Sequence, residues 1–552
     1  MQSAMGIQAD DKATTNLKLE HLENSQRSEA VDLEVDLAVA PEEAHYGTAG
    51  AKAFLSSPYV LGAALLASMG GFSYGYGKSE PALKFATISH YTDILHPPDQ
   101  GVISLILVMP QFQAQYPEVA PSHAHYGFNT GFMTGMLLLG GFLGCLFYPY
   151  VADKWSRKWA LTVAVGFFDL GAIIQTASMN YGTLVAGRFI GGIGVGTLAM
   201  GAPLYISEIS PPEMRGSLLV LEELTIVIGA IISYWVTYGT QYLAGSAAFR
   251  VPFGLQMVSA TLLGMGIHFY PYSPRWLVMT DQHDKSLRAI SKLRRLPPTD
   301  RRVQAEWQSI IGEVNFQREL AQKQHPGATG PKLELLRWCD LFGKKVRKRT
   351  AAAVGICFFT QFSGINAFVY YAPTLFTSLG QSSHNSVILA GMINIGQFVG
   401  VVPAMVWMDN IGRRPLAIWG AVGMGTAHVI MAAVYGKFGN DWPSHPTAGW
   451  VCVAFVYVYV VVFGLSYGPL IWTLPSEVYQ NVHRAKGVGL AVAVSWLANF
   501  VIGVVVPPMI ESITYGTFIF FAVFCALSAV FSYFLVPETA NKTLEQLDKD
   551  IA

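Results

Sequence analysis

Twelve apolar segments, each near the roughly 20 residues that carry a helix across a bilayer, constrain this chain more than any other feature. Six lie at 58–76 (resuming at 99–115 after an interruption), 128–151, 157–179, 182–204, 217–240 and 250–270. Six more lie at 350–377, 385–408, 414–435, 449–474, 485–508 and 514–535. Lipid offers no partner to an open strand edge, so the expected fold is an all-α membrane protein. Composition agrees: 52% of residues are hydrophobic and 13% charged, against about 25% charged in soluble domains. The 36 basic residues balance 36 acidic ones, which excludes a generally basic nucleic-acid binder. Five scattered cysteines form neither a disulfide framework nor a metal-ligand spacing, so no metal and no cofactor are expected.

Charge orients the spans. The stretch 271–349 carries 17 Lys or Arg, and short clusters stand at Lys154/Arg157/Lys158, Arg413/Arg414 and Arg484/Lys486. The opposite side shows only Arg250 and Lys437, leaving the interruption aside. The positive-inside rule then puts both termini and the middle loop in the cytoplasm. Residues 1–57, with ten acidic and four basic side chains, read as a disordered cytoplasmic tail. The N-terminal bundle is expected over 58–270, the C-terminal bundle over 350–536, and a second cytoplasmic tail over 537–552. Within 271–349, periodicity predicts short helices over 283–296 and 303–320 under the membrane face.

The halves repeat. Asp153-Lys154-Trp155-Ser156-Arg157-Lys158 follows the second span, and Asp409-Asn410-Ile411-Gly412-Arg413-Arg414 follows the eighth. Glu208 stands seven residues before Arg215 after the fourth span; Glu477 stands seven before Arg484 after the tenth. Matching charges at matching spans imply two six-helix bundles of like topology, related about the membrane normal. Asp153, Arg157, Glu208, Arg215, Asp409, Arg413, Glu477 and Arg484 are therefore read as gating charges. Such groups can pair across helices in one state and part in another.

Four further motifs carry a resemblance. They are Gly187-Arg188-Phe189-Ile190-Gly191-Gly192-Ile193-Gly194-Val195-Gly196, Pro271-Tyr272-Ser273-Pro274-Arg275-Trp276-Leu277, Gln361-Phe362-Ser363-Gly364-Ile365-Asn366-Ala367-Phe368-Val369-Tyr370-Tyr371, and Pro537-Glu538-Thr539. In these, from about 58 to 548, the chain resembles the sugar porter family of the major facilitator superfamily, and its overall style is similar to fungal hexose and polyol transporters. The family usually has Glu where this chain has Tyr272. The resemblance implies the major facilitator fold and transport of a sugar by alternating access.

A sugar site near the midplane needs neutral hydrogen-bonding groups for hydroxyls and an aromatic face for the ring. Amides inside a span are costly, so a cluster of them points to function. The seventh span offers Gln361, Asn366 and Tyr370, the eighth Asn394, the tenth Trp472 beside Gly468 and Pro469, and the eleventh Trp496 and Asn499. By resemblance, Gln361, Asn366, Asn394 and Trp472 match sugar-contacting positions, while interhelix packing explains Trp496 equally well. Gly187/Gly191 and Gly192/Gly196 read as close-packing pairs. In the fifth span the family's glutamine triplet is Glu222-Glu223-Leu224, which makes Glu223 a substrate-binding candidate; elsewhere its polar residues become Thr360-Gln361 and Ser495. An ionised Glu223 accepts from hydroxyls and cannot donate, which favours an uncharged polyhydroxylated substrate over an anion.

Asp99 matches the first-span acid of the family's symporters, and Arg188 its partner. Alternate pairing and release would link a proton to the conformational switch. The implied partners are a sugar or polyol, a proton and the plasma membrane bilayer, with no nucleic acid and a monomeric chain. A facilitative uniporter or a non-transporting sensor of the same fold is the alternative, although only the 16 residues 537–552 follow the last span. No nucleophile elbow or phosphate loop points to an enzyme. The interruption has its own reading. Gly71-Phe72-Ser73-Tyr74-Gly75-Tyr76 stops and Asp99-Gln100-Gly101-Val102 resumes after 22 residues, 77–98, bearing Lys78, Glu80, Lys84 and Asp93. Each charge would cost about 2.5–3.5 kcal/mol at a bilayer centre. An in-frame retained intron explains the segment better than an inserted loop, because compatible codons supply donor-like, branch-like and acceptor-like strings.

Overall fold

The computed structural model describes residues 58–69, 72, 105–107, 109–211, 215–328, 330–344, 346–479 and 481–539. Asp99 and the segment 77–98 lie outside the described residues. So do the side chains of Arg215 and Asp409, whose backbone is helical.

The first half contains α1 (Pro58–Ala67), α2 (Pro110–Gln115), α3 (Tyr126–Trp155), α4 (Arg157–Ala177), α5 (Tyr181–Ile209), α6 (Arg215–Thr240) and α7 (Ala247–Gly266). Four helices fill the middle loop: α8 (Pro274–Met279), α9 (His283–Arg294), α10 (Arg301–Gln324) and α11 (Gly330–Cys339). The second half contains α12 (Arg347–Phe362), α13 (Ile365–Ser378), α14 (Ser383–Ile411), α15 (Arg413–Phe438), α16 (Pro446–Leu465), α17 (Tyr467–Val478), α18 (Asn481–Ile513) and α19 (Gly516–Leu535). There is no strand among the described residues. Ten segments there are long and apolar enough to cross a membrane. The helices α6 and α1 stand at the places expected for the fifth and first spans. The result is an all-α membrane fold of two bundles joined by short helices.

Glycine sets how closely the first bundle packs. A Cβ on Gly192 would lie 2.0 Å from the Leu137 carbonyl oxygen, and one on Gly196 would lie 2.1 Å from that of Gly141. On the neighbouring face, a Cβ on Gly171 would lie 2.3 Å from the Gly191 Cα. Helix α5 is thus pressed between α3 and α4 at distances only backbone can occupy, which gives dispersion contact where lipid provides no hydrophobic drive.

Two expected spans are not continuous helices. The seventh divides into α12 and α13 at Gly364, whose φ is 101°. The tenth divides into α16 and α17 at Ser466 (φ −117°, ψ −81°), two residues before Gly468-Pro469. In both cases a kinked backbone is shielded by surrounding protein, the condition under which irregular backbone survives at membrane depth. The middle loop holds more helix than periodicity predicts. The expected pair is present as α9 and α10, and α8 and α11 are additional. Serine capping starts α8, where Ser273 Oγ accepts from the Trp276 amide at 3.2 Å.

The internal repeat is visible in the backbone. Ser156 begins α4 with φ 105° and Gly412 begins α15 with φ 91°. These are corresponding positions of the two charge motifs, and each turns the chain sharply from one span into the next.

Candidate functional site

Each half closes its own charge cluster at one end of its helices. Arg157 Nε donates to Glu208 Oε2 at 2.9 Å and Nη2 to Oε1 at 2.9 Å, while Nη1 meets Asp153 Oδ1 at 2.9 Å. Arg413 repeats the fork on Glu477 at 3.0 and 2.8 Å. Bidentate geometry of this kind fixes helix ends as well as charges. Glu538 adds a cap to α15, accepting from the amides of Arg413 (2.9 Å) and Arg414 (3.2 Å), where Gly412 has no side chain to do so. Arg484 is half-buried at the start of α18. These pairs join helices within a half. The middle loop reaches the second half through Glu334, which accepts from Lys486.

The halves meet along two seams. On one, α3 faces α18: Gly131 lies against the Val504 backbone, and Gly141 leaves room for the Trp496 ring, 2.6 Å from where a Cβ would stand. Trp496 is buried in this seam. On the other, α6 faces α14, where Tyr234 Oη donates to the Val387 carbonyl at 2.7 Å.

Polar side chains from six helices, α6, α12, α13, α14, α17 and α18, line the interior between these seams. Glu223, on α6 of the first half, is 6% exposed. Its Oε2 accepts from Trp472 Nε1 at 2.8 Å and its Oε1 from Gln397 Nε2 at 3.3 Å, both from the second half. Gly468 is at contact distance, its Cβ position being 3.4 Å from Glu223 Oε1. Two N–H donors converge on one side chain, so a carboxylate with two acceptor oxygens satisfies both. An amide would offer one acceptor oxygen and one NH2 donor in their place.

A second group surrounds the break in the seventh span. Gln361 Nε2 donates to Ser495 Oγ at 2.7 Å, and Asn366 Nδ2 donates to Gln361 Oε1. Nearby, Asn499 Nδ2 donates to Tyr370 Oη at 3.3 Å. Asn499 Oδ1 is buried and meets no partner among the described residues. Leaving such an acceptor dry costs about 1–3 kcal/mol, so this oxygen is a ready acceptor for a hydroxyl. Asn394 is buried on α14, one turn ahead of Gln397. The structure therefore joins Glu223 with Trp472, and Gln361 with Asn366. It sets Trp496 in the α3–α18 seam. Gln397 escaped the sequence reading, although it follows Asn394 by three residues on one helix face.

Arg188 is buried in α5 and reaches α3, donating from Nε to the Met133 carbonyl at 2.8 Å and from Nη2 toward the Thr134 carbonyl at 3.5 Å. Its expected partner Asp99 lies outside the described residues.

Two helical bundles that share a buried polar interior, with a matching charge cluster at one end of each, define a polytopic membrane transporter of the two-bundle type. The chain belongs to the family of sugar (and other) transporters, which matches residues 87–551. It is similar to a high-affinity glucose transporter of Kluyveromyces lactis, 32% identical over 444 residues that cover 78% of each chain. A probable glucose transporter of Neurospora crassa is 30% identical over 489 residues, 86% of this chain and 80% of that one. A high glucose sensor of Saccharomyces cerevisiae is 28% identical over 88% of this chain and 60% of that one. Among solved structures, the proton:xylose symporter XylE bound to 6-bromo-6-deoxy-D-glucose matches with a TM-score of 0.71 at 25% identity, over 90% of this chain and 99% of that one. XylE from E. coli in a partially occluded inward-open conformation matches at 0.68 and 23% identity, over 88% and 100%, a likeness of fold. The fold is that of the major facilitator superfamily.

Proposed function

We propose that this protein carries an uncharged monosaccharide or polyol across the membrane by alternating access, with a proton as the coupled ion. The observation that carries the reading is Glu223, which bridges the halves through Trp472 and Gln397. A sugar hydroxyl entering there donates to the carboxylate and displaces one N–H, which then serves a sugar oxygen. Gln361, Asn366, Tyr370 and Asn394 supply further hydrogen bonds from the second half, with Asn499 Oδ1 as an open acceptor. The Trp472 ring supplies an apolar face for the sugar ring. Trp496 contributes as a wall of the seam. The glucose-transporting relatives and the xylose symporter support a hexose or pentose as substrate.

Coupling is assigned to Asp99 and Arg188. Arg188 is anchored on α3 carbonyls, so it holds a positive charge inside the first bundle for a carboxylate that gains and loses a proton. The paired charges Arg157–Glu208 and Arg413–Glu477, with Asp153, Asp409, Arg215 and Arg484, form the cytoplasmic gate. In this reading 58–270 and 350–536 are the rocking halves, and 271–349 with both tails faces the cytoplasm. The protein is a monomer of the plasma membrane. Uptake of radiolabelled hexoses, pentoses and polyols in hexose-transport-null yeast, with and without a protonophore, tests the proposal. Accumulation that the protonophore abolishes is expected; sugar signalling without uptake would make the protein a sensor, and protonophore-insensitive equilibration a uniporter.

A further inference from the structure

A histidine far from the cytoplasmic charges holds the break in the seventh span. His428, on α15, is fully buried, and its Nε2 lies 2.9 Å from the Ser363 carbonyl oxygen. That carbonyl sits at the end of α12. In an unbroken helix it would accept from the Ala367 amide four residues on. Here Ala367 N donates to the Gly364 carbonyl instead, at 3.0 Å, so the Ser363 oxygen has lost its helical donor. An orphaned carbonyl at membrane depth is expensive. Two N–H or O–H donors from neighbouring helices replace the missing one, His428 Nε2 and Tyr459 Oη, the latter at 3.0 Å, with the weaker Cys525 Sγ–H at 3.9 Å beside them. Because a carbonyl can only accept, the imidazole hydrogen must be on Nε2. Nδ1 meets no partner among the described residues.

The imidazole is held rigidly. It stacks on Phe368 with ring centres 5.6 Å apart and planes 20° apart, and Tyr459 (4.7 Å) and Phe521 (5.5 Å) press on it from other sides. Phe521 also fills the space beside Gly364, lying 2.8 Å from where a Cβ would stand. The break is thus specified from outside the span that contains it. Gln361 lies two residues before Ser363 and Asn366 two residues after Gly364, and the two bond to each other across the break. The direction in which each amide points follows from the backbone angle at Ser363-Gly364.

We infer that His428 is a positioning residue for the sugar site: its Nε2–H stabilises the broken form of the seventh span and thereby places Gln361 and Asn366. This rests on the transport reading above, and it adds a residue from a span that contributes nothing directly to the polar interior.

The test compares His428→Phe, which keeps a ring and removes the donor, with His428→Gln, which keeps an amide N–H at similar reach. Uptake kinetics per transporter at the surface and hydrogen exchange of the purified protein without sugar are read in parallel. The Phe variant should raise the half-saturation constant about tenfold, the size expected for one lost buried hydrogen bond, with the maximal rate changed less than about twofold. The Gln variant should return most of that change. Amides of 364–368 should exchange faster in the Phe variant than in the Gln variant. Should the Phe variant fail to reach the surface, Tyr459→Phe removes the second donor and should raise the same constant at least about threefold. Parental half-saturation in the donor-less variants, equal impairment of Phe and Gln, or unchanged exchange would overturn the inference. Because exchange is measured without sugar, it still reads the break if the parent proves to transport none.

Discussion

Trp472 donates its indole N–H to Glu223 at 2.8 Å, and this bond ties the tenth span to the fifth across the two halves of the molecule. A carboxylate at this position has a reason in the structure, since the Gln397 amide arrives on its second oxygen.

Replacing Glu223 by Gln should alter the substrate ranking and leave the folded protein intact. The single amide oxygen can keep the Trp472 N–H, but the new NH2 then faces Gln397, whose amide must turn its oxygen to meet it, so the donors and acceptors offered to a sugar are rearranged. Competition by a panel of hexoses, pentoses and polyols reads the change. An unaltered profile would mean that Glu223 does not meet the sugar.

Trp472→Ala should raise the half-saturation constant about three- to tenfold. An aromatic face on a ring contributes about 0.5–1.5 kcal/mol, and about 1.4 kcal/mol is tenfold. Trp472→Phe keeps the face and loses the N–H, so it should lie between Ala and the parent. Kinetics equal to the parent in the Ala variant would return Trp472 to packing.

Asp99→Asn should abolish accumulation against a gradient while sugar exchange across the membrane continues. The amide cannot cycle between charged and neutral forms, so the proton loses its binding group while the sugar contacts remain. Concentrative uptake by the Asn variant would refute the coupling assignment.

Gly192→Ala should lower the amount of folded protein at the surface. The added Cβ would fall 2.0 Å from the Leu137 carbonyl oxygen, and backbone cannot yield there. Overpacking of this kind costs about 1–3 kcal/mol or more. Monodispersity and thermal stability of detergent-solubilised protein measure it, and parental behaviour would show that α3 and α5 can separate freely.

Removing 77–98 should leave transport intact or improve it, because the deletion joins Tyr76 to Asp99 and restores an uninterrupted first span. Transcript sequencing and uptake by both forms decide the matter. Retention of the segment in the transcript, with equal transport by the longer form, would show that it is a genuine insertion.

How much of this was legible beforehand follows from what each signal depends on. Span number, helical class and the paired charge motifs are written in local residue order. Lipid admits only helices for an open chain, and Arg157, Glu208, Arg413 and Glu477 recur at matching places. The amides Gln361 and Asn366 also announced themselves, because polar groups in a span are costly wherever they face. Gly192 and Gly196 showed close packing but not its partner, since the spacing of glycines does not say which helix approaches.

The breaks were another matter. Ser363-Gly364 can sit inside a continuous helix as readily as at a kink, and the sequence of the seventh span reads as one apolar run. Whether the backbone breaks depends on who will donate to the Ser363 carbonyl afterwards, and the donors His428 and Tyr459 come from α15 and α16, 65 and 96 residues further along. Gln397 likewise gains its meaning from Glu223, 174 residues away. Local order determined that this chain spans a membrane as two repeated helical halves. Tertiary structure alone decided where those helices break and which polar groups face one another, because a buried hydrogen bond is made by whichever groups the packing brings within 3 Å or so, however distant in the chain.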